Sequence, residues 1–319
     1  QDDYFGIDIG STGIRAVQLK KSSGNPALVA YGDIELPDGL TQSDSPLDQE
    51  KVADAVKQLV QQAKITTNKV VAGLQSAQAF ATVITTPKLN EKELASAMKL
   101  QADQYIPMAI DQVKLDWHVI GPGKTENEQK VLLVAAPNTV INKYLRIVEK
   151  AGLELEALEI NAIAFVRSLM ADKALAVAII DVGSIATDIT IIHQGVPKLI
   201  RSVSTGGSMF MKSVAHNLGL DDEQAEQFTK KFGLTQTKLE GAVYKAIKPS
   251  LDLLTDELTK SINYVSTQNE GMKLEKIILT GGISLMPFLA KYIENNFKIK
   301  CYVGDAWARV VYQDGLKPV

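Results

Sequence analysis

Two stretches of this chain, about half its length apart, share one arrangement. The first is Phe5-Gly6-Ile7-Asp8-Ile9-Gly10-Ser11-Thr12-Gly13-Ile14-Arg15, and the second is Ala178-Ile179-Ile180-Asp181-Val182-Gly183-Ser184-Ile185-Ala186-Thr187-Asp188. Each runs an apolar strand into Asp-x-Gly-Ser, turns, and resumes an apolar run. That pattern predicts a β-hairpin with a carboxylate at the end of its first strand. Glycine permits the tight turn and leaves N–H groups uncovered, so the turn suits an anion. Asp8 and Asp181 stand where an oxygen ligand for Mg²⁺, direct or through water, is needed. A single hairpin of this kind is most often structural. A pair predicts two like-folded halves facing each other across a cleft. A third element, Ile277-Ile278-Leu279-Thr280-Gly281-Gly282-Ile283-Ser284, takes a strand into a Gly-Gly turn with a helix beyond. There, bare backbone could lie flat against a base or ribose.

Length and composition narrow the class. With 319 residues, 45% of them hydrophobic and 22% charged, the chain is long enough for two domains with their own cores. A net charge of −3 gives no long-range attraction for nucleic acid or an anionic bilayer. The single cysteine, Cys301, excludes an internal disulfide and a cysteine-rich zinc site, and reads as a small buried hydrophobe. The apolar run 174–180 is far shorter than the ~18–20 residues that span a bilayer. No signal peptide is visible. The expectation is a cytosolic protein, and a start at Gln1 predicts that a few residues have been lost from the front.

In chain order, a third strand is predicted over 27–36 and a helix over 47–64, with Val52, Ala55, Val56, Leu59 and Val60 on one stripe. Strands follow over 70–74 and 79–84. Asn90 and Glu93 then make a capping box for a helix over 91–105. Strands over 113–120 and 130–135, a helix over 139–151 and a strand over 153–160 follow. Beyond the second hairpin come a strand over 198–203 and Gly206-Gly207 before a helix through Leu218. A short helix capped by Asp221 runs to Lys231, and a long amphipathic stretch covers 237–268. Apolar residues at helical spacing over 251–265 read as interior packing. A strand over 276–279, the Gly-Gly turn, a helix over 285–295 and a strand over 300–303 complete the order.

With these pieces the chain resembles the actin-like ATPase superfamily, an α/β class with a ribonuclease-H-like fold in both halves. It is most similar to the type IV pilus assembly PilM family, relatives of the cell-division protein FtsA. The residues that carry the resemblance are Asp8-Ile-Gly-Ser11, Met98-Lys-Leu-Gln-Ala-Asp-Gln-Tyr-Ile-Pro107 with Ile110-Asp-Gln-Val113, Leu132-Leu-Val-Ala-Ala-Pro137, Ile180-Asp-Val-Gly183, Gly195-Val-Pro197 and Thr280-Gly-Gly282. They span nearly the whole chain. The nucleotide motifs alone give the superfamily, and the Tyr-Ile-Pro insert gives the pilus branch.

The resemblance implies a first actin-like half over 1–85 and 158–174, and an inserted α+β partner-binding subdomain over 86–157. The second half would cover 175–319, with 206–272 as its smaller subdomain. It implies ATP and Mg²⁺ held between the halves. Asp8 and Asp181 would hold the metal through water. Gly10, Ser11, Thr12, Gly13 and Arg15 from one hairpin, with Gly183, Ser184 and Ile185 from the other, would clasp the phosphates. Gly206, Gly207, Glu226 and Lys230 would border the ribose, and Gly281, Gly282 and Ile283 the adenine. The implied partner is the N-terminal cytoplasmic tail of a PilN-like inner-membrane protein. Other pilus platform and motor components and self-association are also implied, on the inner face of the cytoplasmic membrane and without direct membrane insertion.

Some positions depart from the family pattern. Arg15 stands where Lys is usual, which keeps the charge and loses its point-like geometry. The residue expected to orient attacking water falls on Asn161, with Glu159 two positions earlier. Without an acid there, general-base help is weak and turnover is expected to be slow or negligible. The ribose lysine normally lies three positions after its glutamate, and here that place holds Thr229.

Competing signals are weaker. Gly123-Lys124-Thr125 resembles the end of a phosphate loop, but the leading glycine that motif needs is His118. His118, His193 and His216 lack metal-ligand spacing. Trp117 and Trp307 read as packing residues, and Asp188 as a residue that fixes its hairpin. Two other functions fit the same superfamily. One is a small-molecule kinase, for which no acceptor-site carboxylate is found. The other is an FtsA-like filament protein, for which a membrane-binding C-terminal helix is missing from the sequence.

Overall fold

Phe5, Ile7 and Ile9 are buried while Gly6 and Asp8 are only partly so, the alternation of a strand with one face on a core. This strand, β1 (Phe5–Ile9), opens a computed structural model that describes residues 3–170, 175–269 and 271–312. The chain divides into two units, residues 1–164 with 305–319 and residues 165–304.

In the first unit β1 is followed by β2 (Gly13–Lys20), β3 (Ala27–Glu35), α1 (Pro46–Gln62) and β4 (Lys69–Leu74). The stripe Val52, Ala55, Val56 and Leu59 of α1 is buried, as its spacing predicts. Next come β5 (Phe80–Pro87), α2 (Glu91–Gln101), β6 (Val113–Pro122), β7 (Glu128–Pro137), α3 (Asn138–Lys150), β8 (Glu154–Ile160) and α4 (Asn161–Leu169), whose last residues pass into the second unit. One sheet has the order β3-β2-β1-β4-β8, antiparallel on the β3 side of β1 and parallel on the other. A separate three-stranded sheet has the order β5-β7-β6. The strand expected over 79–84 therefore belongs to this smaller sheet. The boundary expected at residue 86 falls inside it, while α3 packs on α1 and β8 returns to the first sheet.

The small sheet carries its own core of Ile84, Leu94, Met98, Val131 and Leu133, closed by α2. The capping box forms: the Glu93 N–H donates to Asn90 Oδ1 and the Asn90 N–H to Glu93 Oε2, each at 3.0 Å. The helix expected to reach Tyr105 ends at Gln101 and finishes in a 3₁₀ turn over Ala102–Gln104. The loop resembling a phosphate loop is the β6–β7 hairpin. Its Lys124 and Thr125 amides donate to Glu128 Oε2, so they are already used.

The second unit runs β9 (Ala176–Val182), β10 (Thr187–His193), β11 (Val196–Val203), α5 (Gly207–Leu218), α6 (Asp222–Phe232), α7 (Ala242–Gln268), β12 (Lys276–Thr280), α8 (Leu289–Phe297) and β13 (Lys300–Val303). Its sheet order, β11-β10-β9-β12-β13, repeats that of the first sheet strand for strand, with the same directions. Leu251, Leu254, Leu258 and Val265 of α7 enter the core, as interior packing requires.

Two expected elements differ. The stretch over 237–268 becomes helical only at Ala242, because Leu239, Glu240 and Gly241 take positive φ. The helix expected over 285–295 is a 3₁₀ turn, Gly282–Leu285, then a break, then α8. Pro287 disfavours helical backbone at Met286, and Phe288 takes φ +65°. Cys301 is buried, and burial pushes its thiol up to about 12, so it is an inert packing residue.

Candidate functional site

The first hairpin turn is closed by the Gly10 N–H donating to the Gly13 carbonyl at 2.9 Å, and the Leu36 N–H donates to the Thr12 carbonyl at 3.0 Å. The amides of Ser11 and Thr12 donate to no acceptor among the described residues. The ladder aligns Asp8 with Arg15 on one side and Gly73 on the other, and continues to Asp33 and Glu159. Aligned residues point to the same face of a sheet. One row thus carries three carboxylates and one guanidinium, with a glycine in the gap.

Asp8 stands at the centre of this row. Its Oδ1 accepts from Asn161 Nδ2 at 3.2 Å, and its Oδ2 lies 3.9 Å from Arg15 Nη1. Those side chains are 40% exposed for Asp8 and 58% for Arg15, so the ion pair is screened and weak. Burial among protein atoms raises the Asp8 carboxyl above its ordinary value, with the Asn161 hydrogen bond and the Arg15 charge opposing. Gly73 makes the Asn161 contact possible, because a Cβ there would lie 2.2 Å from Asn161 Oδ1. Behind the row, Tyr144 is 4% exposed and donates to Gln78 Oε1 at 3.3 Å. Burial, then the Asp8 charge, raises its phenol pKa and keeps it neutral. Gln75 Nε2 donates to the Ile9 carbonyl at 3.2 Å, fixing the strand end.

The second hairpin closes the same way, with the Gly183 N–H donating to the Ala186 carbonyl at 3.0 Å. The Ser184 and Ile185 amides again donate to no acceptor among the described residues. Its carbonyls are occupied: Gly183 accepts from the Gly207 N–H at 2.9 Å and Ser184 from the Ser208 N–H at 2.8 Å. The start of α5 is therefore stitched to the turn, and Gly206 is needed there, since a Cβ would lie 2.5 Å from the Ser184 oxygen. Thr187 Oγ1 adds a bond to the Thr205 carbonyl at 2.6 Å. Gly281 takes φ +84°, and a Cβ on it would meet Asp181 Oδ1 at 2.4 Å. A Cβ on Gly207 would meet Ile283 Cδ1 at 2.3 Å. So Asp181, Gly183, Ser184, Ile185, Gly206, Gly207, Gly281, Gly282 and Ile283, scattered in sequence, form one cluster in this unit.

Asp181 aligns with Asp188 in β10 and with Thr280 in β12. Glu226 and Lys230 pair with each other across one turn of α6 at 2.6 Å. The end of that helix is tied to the segment after the Gly-Gly turn, where the Leu234 N–H donates to the Pro287 carbonyl at 3.0 Å. Glu159 lies on the Asp8 row and Asn161 on its flank, in the first unit.

Within each unit, a turn with uncovered amides beside a strand-end carboxylate offers donors to an anion and an oxygen ligand to a cation. Free turn amides supply hydrogen bonds to anionic oxygens, while the carboxylates around Asp8, and Asp181 beside Asp188, would repel an anion unless a divalent cation stood between. Mg²⁺ takes oxygen ligands and keeps several waters, so each strand-end carboxylate, taken by itself, is a suitable type of ligand. Sequence reasoning missed Gly73, Gln75, Tyr144 and Thr205. A glycine near the end of an apolar strand was the only available signal, since it marks close backbone or side-chain approach.

Among the described residues no helix is long and apolar enough to cross a membrane. Curated relatives include the cell division protein FtsA of Enterococcus faecalis, 22% identical over 94% of this chain and 78% of that protein. FtsA of Neisseria meningitidis is also 22% identical, over 66% of this chain, and the match spans 58% of that protein's length. A solved PilM-PilN type IV pilus biogenesis complex contains a chain of the same fold, with a TM-score of 0.85 at 23% identity, covering 98% of this chain and 91% of that one. MreB5 of Spiroplasma citri bound to ADP shares the fold at a TM-score of 0.54 and 14% identity, over 96% and 92% of the two chains. The family model described as type IV pilus assembly protein PilM matches residues 6–318. With that match along nearly its whole length, and an actin-like fold in both halves, the chain belongs to the PilM family of type IV pilus assembly proteins.

Proposed function

We propose that this chain is a nucleotide-responsive scaffold on the cytoplasmic side of the pilus machinery, recruited to the inner membrane face through a PilN-like partner. One observation carries the nucleotide half of this reading. Two hairpins close with the same Gly-to-i+3 hydrogen bond, place an aspartate at the same strand end, and leave the two following amides without acceptors. In this reading Asp8 and Asp181 hold hydrated Mg²⁺, and the amides of Ser11, Thr12, Ser184 and Ile185 hold the phosphates of ATP. Gly206, Gly207, Glu226 and Lys230 border the ribose, and Gly281, Gly282 and Ile283 the base. Bound Mg²⁺ would supply charge neutralisation at the phosphates. Asn161, an amide without basic character, can orient a water but cannot take its proton, so turnover is slow and binding is the function.

The partner half rests on family membership and on the likeness to the chain in the PilM-PilN complex. The small sheet and α2, with their own core, form the element that takes the N-terminal tail of the PilN-like protein. Nucleotide and tail then influence each other's affinity equally, as linkage requires. Titration of a synthetic tail with and without ATP–Mg²⁺ tests this, with a severalfold difference in Kd expected. Equal affinities would remove the gating and leave the scaffold. Failure of Asp8→Ala and Asp181→Ala each to weaken ATP binding would remove the nucleotide site itself.

A further inference from the structure

An opening lies on the second unit, along the exposed side of α5. It is a shallow depression, open to solvent, of about 500 Å³, lined by Ile185, Ser204, Ser208, Met209, Lys212, Ser213, His216 and Asn217. Of the residues expected to hold nucleotide, only Ile185 touches it. Ser208, Lys212 and His216 are spaced four apart, so they stand above one another on one helix face. No carboxylate lines the opening. Lys212 makes no ion pair, and the hydroxyls of Ser204 and Ser208 make no hydrogen bond, among the described residues. That contrasts with Lys230, Lys248, Lys260 and Lys291 in the same unit, each of which has a carboxylate within one helical turn.

We propose that this face binds a small phosphomonoester with a compact apolar body. An ammonium group and two hydroxyls offer several donors to one tetrahedral, multi-acceptor anion, and lysine serves phosphate as a point charge where a carboxylate would call for an arginine fork. Ser208 lies in the first turn of α5, where the helix dipole also favours negative charge. Ile185, 50% exposed, and Met209 give the apolar body its surface. The volume is that of a small-molecule site rather than of a macromolecular interface. Because Ile185 belongs to the second hairpin turn and the Ser208 amide is bonded to the Ser184 carbonyl, an occupant would stiffen that turn. The site itself stands on the lining residues and does not rest on the nucleotide reading.

The test uses phenyl phosphate as the probe, followed by backbone amide NMR of the whole chain with ATP–Mg²⁺ present. Saturable shifts are expected at Ile185, Ser204, Ser208 and Lys212, with none at Gly10 to Gly13. Lys212→Met keeps the aliphatic stem and is expected to weaken binding at least tenfold, Lys212→Arg to retain most of it, and Ser208→Ala to weaken it about threefold. Benzoate is expected to bind at least tenfold more weakly. Absence of saturable shifts at these residues up to about 10 mM probe would overturn the inference. So would equal binding by Lys212→Met, equal binding by benzoate, or shifts confined to the two hairpin turns.

Discussion

The two hairpins match in backbone and differ in what faces the aspartate. Asp8 is aligned with Arg15, whereas Asp181 is aligned with Asp188. Their strands differ too: β9 and β10 are buried almost throughout, while β1 and β2 alternate. The shared part is what hydrogen bonding needs, namely the closing Gly-to-i+3 bond and uncovered amides. The divergent part sets charge. An aspartate beside a guanidinium is partly neutralised without a ligand, while an aspartate beside another carboxylate depends more on a cation or on surrounding donors. A repeated backbone can thus carry two electrostatic roles.

The largest test of this comparison is Gly281→Val. The residue takes φ +84° and its Cβ would strike Asp181, so a loss of about 2–4 kcal/mol is expected in urea unfolding. Gly10→Ala, where the nearest atom is 3.0 Å away and φ is not positive, is expected to cost less than half as much. If the two variants cost the same, the positive φ of Gly281 and its close approach to Asp181 are not what sets the cost.

Gly73→Ala comes next. It drives a methyl into Asn161 and separates that amide from Asp8, at a cost of about 1–3 kcal/mol. Asn161→Ala in the same background should then add little, because the contact is already gone.

Asp8→Asn probes the charge itself, in metal-free buffer. Burial raises the folded-state pKa of Asp8, so the stability linked to its protonated form is fully present below about pH 4. That contribution is lost as pH rises through the folded value. The variant does not titrate, so it should gain on the wild type as urea midpoints are compared from low pH to neutrality. Added ATP–Mg²⁺ should reverse the order, since only the wild type keeps the metal carboxylate. A gain that grows toward low pH would contradict the raised pKa.

The smallest effect is expected from Lys230→Ala. Its pair with Glu226 is solvent-exposed, so stability should change by no more than about 0.5 kcal/mol. Any loss of nucleotide affinity in that variant would then support the proposed ribose role, and unchanged affinity would remove it.

Both hairpins were legible in the sequence because strand alternation and Asp-x-Gly-Ser are local patterns, readable within a dozen residues. So were the capping box at Asn90 and Glu93, the α1 stripe, and Gly206-Gly207 before its helix. The positions that escaped are long-range. Asn161 was legible as a candidate, but its hydrogen bond to Asp8 from 153 residues away, and the bare Gly73 that this contact needs, were not. Tyr144 sits on a helix whose polar neighbours in sequence give no hint of the carboxylate behind it. The break at Met286–Phe288 was legible in Pro287, which was read through as helix.

What the chain's text determined by itself was the kind of each main element, the two Asp-x-Gly-Ser turns and the membership of the actin-like class. Turn chemistry and side-chain periodicity act over a few residues and need no distant partner. Only the folded molecule decided that Phe80–Pro87 leaves the first sheet to pair with Glu128–Pro137, and which group stands opposite each aspartate. Strand pairing and register are chosen by burial summed over a whole unit, and no local stretch of sequence contains that sum.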